Sequence, residues 1–165
     1  MATAIFFASS TGNSEEIANK IASKLGDIEV FDLAGTKIEK INNYDKIILG
    51  GSTWGDGEVN DDWEDVWGNF CKLDLSNKTI ALFGLGDQES YSDEFCSALG
   101  IIYEQVISKG AKIVGFTSID TYTHDGSKAQ IDDKFVGLVI DEDNQSDLTD
   151  ERIKNWVNDI KEEIL

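Results

Sequence analysis

A chain of 165 residues with 41% hydrophobic and 10% aromatic residues can bury a sizeable core, which excludes disordered and fibrous classes. Its 32 acidic against 14 basic residues give a formal net charge of -18, which argues against nucleic acid and anionic membrane surfaces and favours partners with basic faces. Cys71 and Cys96 form no Cys-x-x-Cys pair, and the N-terminal apolar run is too short for a span and lacks a basic flank, so a cytoplasmic, monomeric chain is expected.

Apolar runs of strand type alternate with amphipathic patterns. Thr3–Ala8 reads as a first strand, followed by a helix from about Ser14 to Leu25 with Ile17, Ile21 and Leu25 on one face and Gly26 at its end. A second strand, Ile28–Leu33, leads to a short helical segment near Ile38–Ile41 and a third strand, Lys46–Gly50. The next helix, Asp61–Lys72, spaces Trp63, Val66, Trp67 and Phe70 along one face. After a fourth strand, Thr79–Gly84, a helix over Ser92–Lys109 aligns Phe95, Leu99, Ile102 and Val106 and tolerates an internal Gly100. Both cysteines fall inside these two helical patterns and read as buried, inert thiols. A fifth strand, Lys112–Thr117, is separated from the last helix, Thr149–Ile164, by a long segment containing the apolar run Phe135–Ile140. This segment reads as an insertion of short strands that splits the fifth strand. The alternation predicts a single α/β domain over 1–165, a parallel sheet with helices on both faces.

Ligands of such sheets bind beyond the carboxyl ends of the strands, which singles out the loops Ser9–Ser14, Gly51–Asn60 and Leu85–Tyr91. The first offers the hydroxyls of Ser9, Thr11 and Ser14, close backbone approach at Gly12, and a helix N-terminus. With no Lys or Arg between Met1 and Asn19, it is not a nucleoside-triphosphate loop. It suits one phosphate held by neutral donors, and an ordinary helix cap explains it equally well. Trp54 in the second loop and Tyr91 in the third could sandwich a flat ring. Together the loops point to a planar cofactor carrying a phosphate.

The ordered motifs Ser-x-Thr-Gly-Asn-Ser, Thr53-Trp54-x-x-Gly57-Glu58, Gly84-x-Gly86-Asp87-Gln88 with Tyr91, and the tail Asp141–Gln145 leading to Leu148-Thr149 make the chain similar to the long-chain flavodoxins. The segment Lys134–Leu138 resembles their inserted strand. The resemblance implies a flavodoxin-like three-layer sandwich with sheet order 2-1-3-4-5. It implies one non-covalent FMN, and low-potential one-electron carriage between redox proteins with no substrate of the chain's own. It implies that Ser9, Ser10, Thr11, Gly12, Asn13 and Ser14 hold the phosphate and that Trp54 and Tyr91 flank the ring. Ser52, Thr53, Gly55, Asp56 and Gly57, with Leu85, Gly86 and Asp87, would line its polar edge, and Glu94 and Cys96 align with positions that touch the flavin. The Gly55–Asp56 peptide would rotate on reduction.

An FMN-dependent NAD(P)H:quinone oxidoreductase on the same fold is the alternative, although no nicotinamide motif is evident. A phosphorelay receiver is rejected because its clustered acids are missing at Ala8-Ser9-Ser10 and Gly50-Gly51-Ser52. The run Asp141–Asn144 reads as a solvated acidic turn and not a calcium loop, and His124 as a surface or loop histidine.

Overall fold

The computed structural model describes residues 3–8, 12–26, 28–54, 58–59 and 61–165, and for Trp54 and Glu58 the backbone alone. In chain order the elements are β1 (Thr3–Phe7), α1 (Asn13–Lys24), β2 (Glu29–Asp32), β3 (Lys46–Trp54), β4 (Glu58–Val59), α2 (Asp61–Phe70) and β5 (Thr79–Leu85). Then follow α3 (Ser97–Ser108), β6 (Lys112–Val114), β7 (Thr117–Ser118), β8 (Gln130–Ile131), β9 (Lys134–Phe135), β10 (Leu138–Ile140) and α4 (Thr149–Ile164).

The central strands are apolar on both faces because each face meets a helical layer. Ala4, Phe6, Ile47, Leu49, Ile80 and Leu82 join one core with Trp63, Phe70, Leu99 and Ile102, beneath α2 and α3. Their neighbours Ile5, Phe7, Ile48, Ala81 and Phe83 join the other with Ile17, Ile21, Ile153 and Trp156, beneath α1 and α4. The strand period of two thus distributes one continuous apolar run between two cores. Both buried indole N–H groups have acceptors, Trp63 donating to the Gly50 carbonyl at 2.9 Å and Trp156 to that of Gly115 at 2.8 Å, so these large rings pack without an orphaned donor.

The sheet runs β2-β1-β3-β5 in parallel. Its fifth place is shared, since β6 pairs with Thr79–Ala81 and β10 with Phe83–Leu85, both parallel to β5. The expected order and the split fifth strand are therefore present. Leu82 falls between the two half-strands. There Gly137 comes so close that any side chain on it would overlap the Leu82 carbonyl and stand 3.0 Å from Leu82 Cβ. The intervening residues form a small antiparallel sheet, β7-β9-β8. They carry their own aromatic cluster, in which Phe135 lies 5.9 Å from Phe95, 5.0 Å from Tyr122 and 5.0 Å from His124 between ring centroids.

Four expectations need correction. The third strand continues through Trp54 and folds back onto β4, with Thr53 opposite Val59. The fifth strand stops at Val114, because Gly115 turns the chain with φ of 87°. The helix expected over Ser92–Lys109 is broken into a helical turn, Ser92–Glu94, and α3, with Cys96 between them in the left-handed region at φ 53°. Cys71, too, lies just beyond the end of α2, so neither cysteine is helical.

Cys96 has no exposed surface, and burial, reinforced by the Asp141 carboxylate, pushes its thiol well above the ordinary range. Cys71 is part-exposed. Because the thiolate is the reactive form, a disulfide reagent should modify Cys71 alone in the native protein and both thiols after denaturation. Rapid native modification at Cys96, read by peptide mass, would contradict this packing.

Candidate functional site

Because β1, β3 and β5 are parallel neighbours, the loops that leave their carboxyl ends emerge side by side at one edge. The calls on Ser9, Ser10, Thr11, Gly55, Asp56 and Gly57, and on the Trp54 side chain, lie outside the described residues. What is described is how the ends of these loops are held.

At the first, Gly12 caps α1 with φ of 90°, a backbone that suits glycine. As a glycine it brings no side chain to the helix's first N–H groups. Asn13 is exposed, whereas Ser14 is buried with its hydroxyl 3.0 Å from that of Ser52, so the first and second loops share a hydroxyl pair. The Thr53 hydroxyl accepts a hydrogen bond from Ala98 N at 3.1 Å, which caps α3 from another strand.

The third loop is tightly anchored. Leu85 is buried, and Gly86 N donates to the Ile140 carbonyl at 3.1 Å. A side chain at Gly86 would stand 2.9 Å from Cys96 Sγ, so the buried thiol supports the loop from behind. Asp87 Oδ1 accepts from Glu89 N at 3.1 Å, Ser90 N at 2.9 Å and Asn144 Nδ2 at 2.8 Å. Gln88 is 2% exposed; its N and Nε2 donate to Asp141 Oδ2 at 3.2 and 2.7 Å, and its Oε1 accepts from Thr123 N at 2.6 Å and Thr123 Oγ1 at 3.2 Å. At the end of this loop Tyr91 is 54% exposed, an aromatic surface that packing inside the protein does not use.

Asp141 corrects the reading of a solvated acidic turn. It is fully buried, and besides Gln88 its carboxylate accepts from Asp143 N at 3.1 Å, Asn144 N at 3.0 Å and Asn144 Nδ2 at 2.9 Å. Such saturation is what makes a buried charge tolerable. Among the described residues, no cluster of His, Cys, Asp and Glu could hold a metal ion. His124 is likewise part-buried inside the insertion's aromatic cluster, its Nε2 2.6 Å from Gln130 Oε1. Gln88 and Asp141 stood inside motifs visible in the sequence, but nothing in the spacing announced that they join. Glu94, also part-buried, keeps Oε2 buried without a hydrogen-bond partner.

This edge is electronegative. The Asp62 carboxyl is pushed up by burial and by Asp32, Asp65 and Asp61, and that of Asp143 by burial, Asp87 and Asp141. For Asp87, burial acts upward but is outweighed by hydrogen bonds from Ser90, Asn144 and Glu89, so its carboxyl lies below the usual range. A depressed folded-state value means stability that is present above the unfolded value, about 3.9, and is lost as the pH falls through the folded one. The destabilisation caused by Asp87→Asn should therefore be largest near neutrality and shrink below about pH 4. A thermal-melting difference independent of pH would overturn this.

The flavodoxin family model matches residues 5–156. The chain belongs to the flavodoxin family. It is 48% identical over 157 residues to a flavodoxin of Helicobacter pylori, covering 95% of this chain and 94% of that one. It is 46% identical over 160 residues to a flavodoxin of a Picosynechococcus species, again covering 95% and 94%. A crystal structure of Fusobacterium nucleatum flavodoxin bound to flavin mononucleotide superposes with a TM-score of 0.93 at 32% identity, covering 100% of both chains. Flavodoxins are electron-transfer proteins that work with redox partner proteins, not enzymes with substrates of their own, so the quinone-reductase alternative is not favoured. Among the described residues, no helix of this flavodoxin is long and apolar enough to cross a membrane.

Proposed function

We propose that this flavodoxin is a cytoplasmic monomer, one domain over 1–165, that binds one FMN non-covalently and carries single electrons between proteins with basic faces. The observation that carries the reading is Tyr91, 54% exposed at the end of a loop whose backbone is otherwise pinned, at the same edge as the start of α1. A planar ring with a phosphate tail fits this arrangement. It would lay its face on Tyr91, its other face on Trp54, and its phosphate among residues 9–14. The N–H groups and positive end of α1 compensate the phosphate charge, with Ser9, Thr11 and Ser14 as neutral donors. Backbone groups of Thr53–Gly57 and Leu85–Asp87 would meet the ring's polar edge. Bound FMN supplies one-electron chemistry that no side chain of the chain offers.

The protein's part is to hold the ring, exclude water from its faces and surround it with carboxylates. Asp61, Asp62, Glu64 and Asp65 on α2, with Asp87, Glu89 and Asp93 around the third loop, oppose adding negative charge to the cofactor. This lowers the potential for the second electron and steers basic partners onto the same face. Anaerobic reductive titration of the purified protein with FMN is the test. The expected result is one FMN per chain, reduction in two well-separated one-electron steps, and electron delivery that slows as salt rises. A protein that takes up no FMN, or that oxidises NAD(P)H directly, would overturn the proposal.

A further inference from the structure

On α4, Arg152, Trp156 and Asp159 follow one another at helical spacing, so they line one face of the helix over about 10 Å of its axis. That face borders a cleft of about 300 Å³, which the insertion and Leu138 of β10 close on the other side. Trp156 and Leu138, each 1% exposed, form its apolar floor, and Phe116, 38% exposed, its rim. Arg152 is the only arginine of the chain. Its guanidinium lies 4.1 Å from the centroid of the Tyr122 ring, and Nη2 donates to Gln145 Oε1 at 2.6 Å and Thr121 Oγ1 at 3.0 Å. The group is thus held still, yet its buried Nη1 has no hydrogen-bond partner, and buried donors are rarely left so. Among the described residues no carboxylate comes within ion-pair distance of Arg152, although the chain carries 32 acidic residues, and exposed Asp159 likewise has no cation beside it.

We propose that this cleft is a binding site for a short zwitterion of the ω-amino-acid type, with its carboxylate on Arg152, its apolar spacer over Trp156 and Leu138, and its ammonium at Asp159. A carboxylate takes the charge-assisted hydrogen bonds that the guanidinium does not make within the chain. A guanidinium already fixed by Tyr122, Gln145 and Thr121 loses little freedom in making them. The methylenes of the spacer gain by leaving water for the indole and leucine surfaces. Opposite charges at the two ends of one cleft also select, because a simple anion meets Asp159 and a simple cation meets Arg152. None of these residues belongs to the candidate cofactor site, so the inference stands apart from the FMN reading.

The probe is 6-aminohexanoate, titrated into the isotope-labelled full chain with FMN present and followed by amide and indole N–H shifts. We expect saturable shifts at the Trp156 indole N–H and the Thr121 and Asn155 amides, with a dissociation constant on the order of 1 mM. Hexanoate and hexylamine, which carry one charge each, should bind about fivefold more weakly. Asp159→Asn, an exposed substitution that leaves the packing intact, should weaken 6-aminohexanoate about fivefold and leave hexanoate as it was. Arg152→Gln should abolish the binding of both acids, and Asp159→Asn decides the matter alone if the Arg152 variant does not fold. The site is refuted by the absence of saturable shifts at about ten times that concentration, by hexanoate binding as tightly as the zwitterion, or by an Asp159→Asn protein that binds 6-aminohexanoate like the wild type.

Discussion

Gly100→Ala is expected to destabilise the protein by roughly 3 kcal/mol and to lower its melting temperature by about 6–12 °C. Helix propensity alone predicts the opposite, since alanine is better than glycine inside a helix by about 1 kcal/mol. The deciding fact is tertiary. A Cβ at Gly100 would overlap the Lys128 carbonyl and stand 2.8 Å from Ala129 N. The insertion lies directly on this face of α3, where Lys128 N donates to the Ser97 hydroxyl at 3.1 Å and Ala129 is fully buried. Backbone cannot rotate away as a side chain tip can, so the helix and the insertion must separate. Thermal melting of the apoprotein checks this, and a melting temperature equal to or above that of the wild type would show that the contact yields cheaply.

Asp141→Ala should cost about 4 kcal/mol, because the two buried donors of Gln88 and the part-buried donors of Asp143 and Asn144 lose a charged acceptor together, and should lower the melting temperature by about 8–16 °C. The donors are Gln88 N and Nε2, Asp143 N, Asn144 N and Asn144 Nδ2. Water entering the space left by the carboxylate would recover only part of the loss. Asp141→Asn keeps one acceptor oxygen but turns an amide toward groups that donate, and should fall between the two. Urea unfolding of the apoprotein is the clean measurement, since bound ligand adds its own stabilisation. A loss below about 1 kcal/mol for Asp141→Ala would place this carboxylate among ordinary surface acids.

Both positions show where the sequence was legible and where it was not. Repeating apolar positions were enough to locate Ile17 and Ile21 on α1 and Leu99, Ile102 and Val106 on α3, all of them buried. Runs without polar alternation announced strands covered on both faces, and the apolar residues before Ile140 announced a divided fifth strand. Gly100, by contrast, looked like a tolerated defect in a helix because its reason lies at Lys128. The break before α3 was hidden in the same way. Phe95 N is taken by the Gly126 carbonyl and Ala98 N by the Thr53 hydroxyl, and these partners are remote in the chain. Asp141 sits in a run of acids, where exposure is the usual outcome; its donor Gln88 lies 53 residues away. At the candidate site the hydroxyls and aromatics could be read as types, but the order in the third loop comes from long-range bonds that no local pattern encodes.

The shared fifth place of the sheet has one more effect, on how copies of the protein meet at high concentration. An edge strand with free backbone groups invites another chain to pair with it. Here that rim consists of β6 and β10, three residues each, interrupted where the chain leaves to build the insertion. The opposite rim, β2, is four residues long and has exposed Glu29 and Asp32 at its two ends. Neither margin offers a long, flat template, and a net charge of -18 drives like molecules apart. The interruption that makes room for the insertion thus also guards against strand-to-strand aggregation.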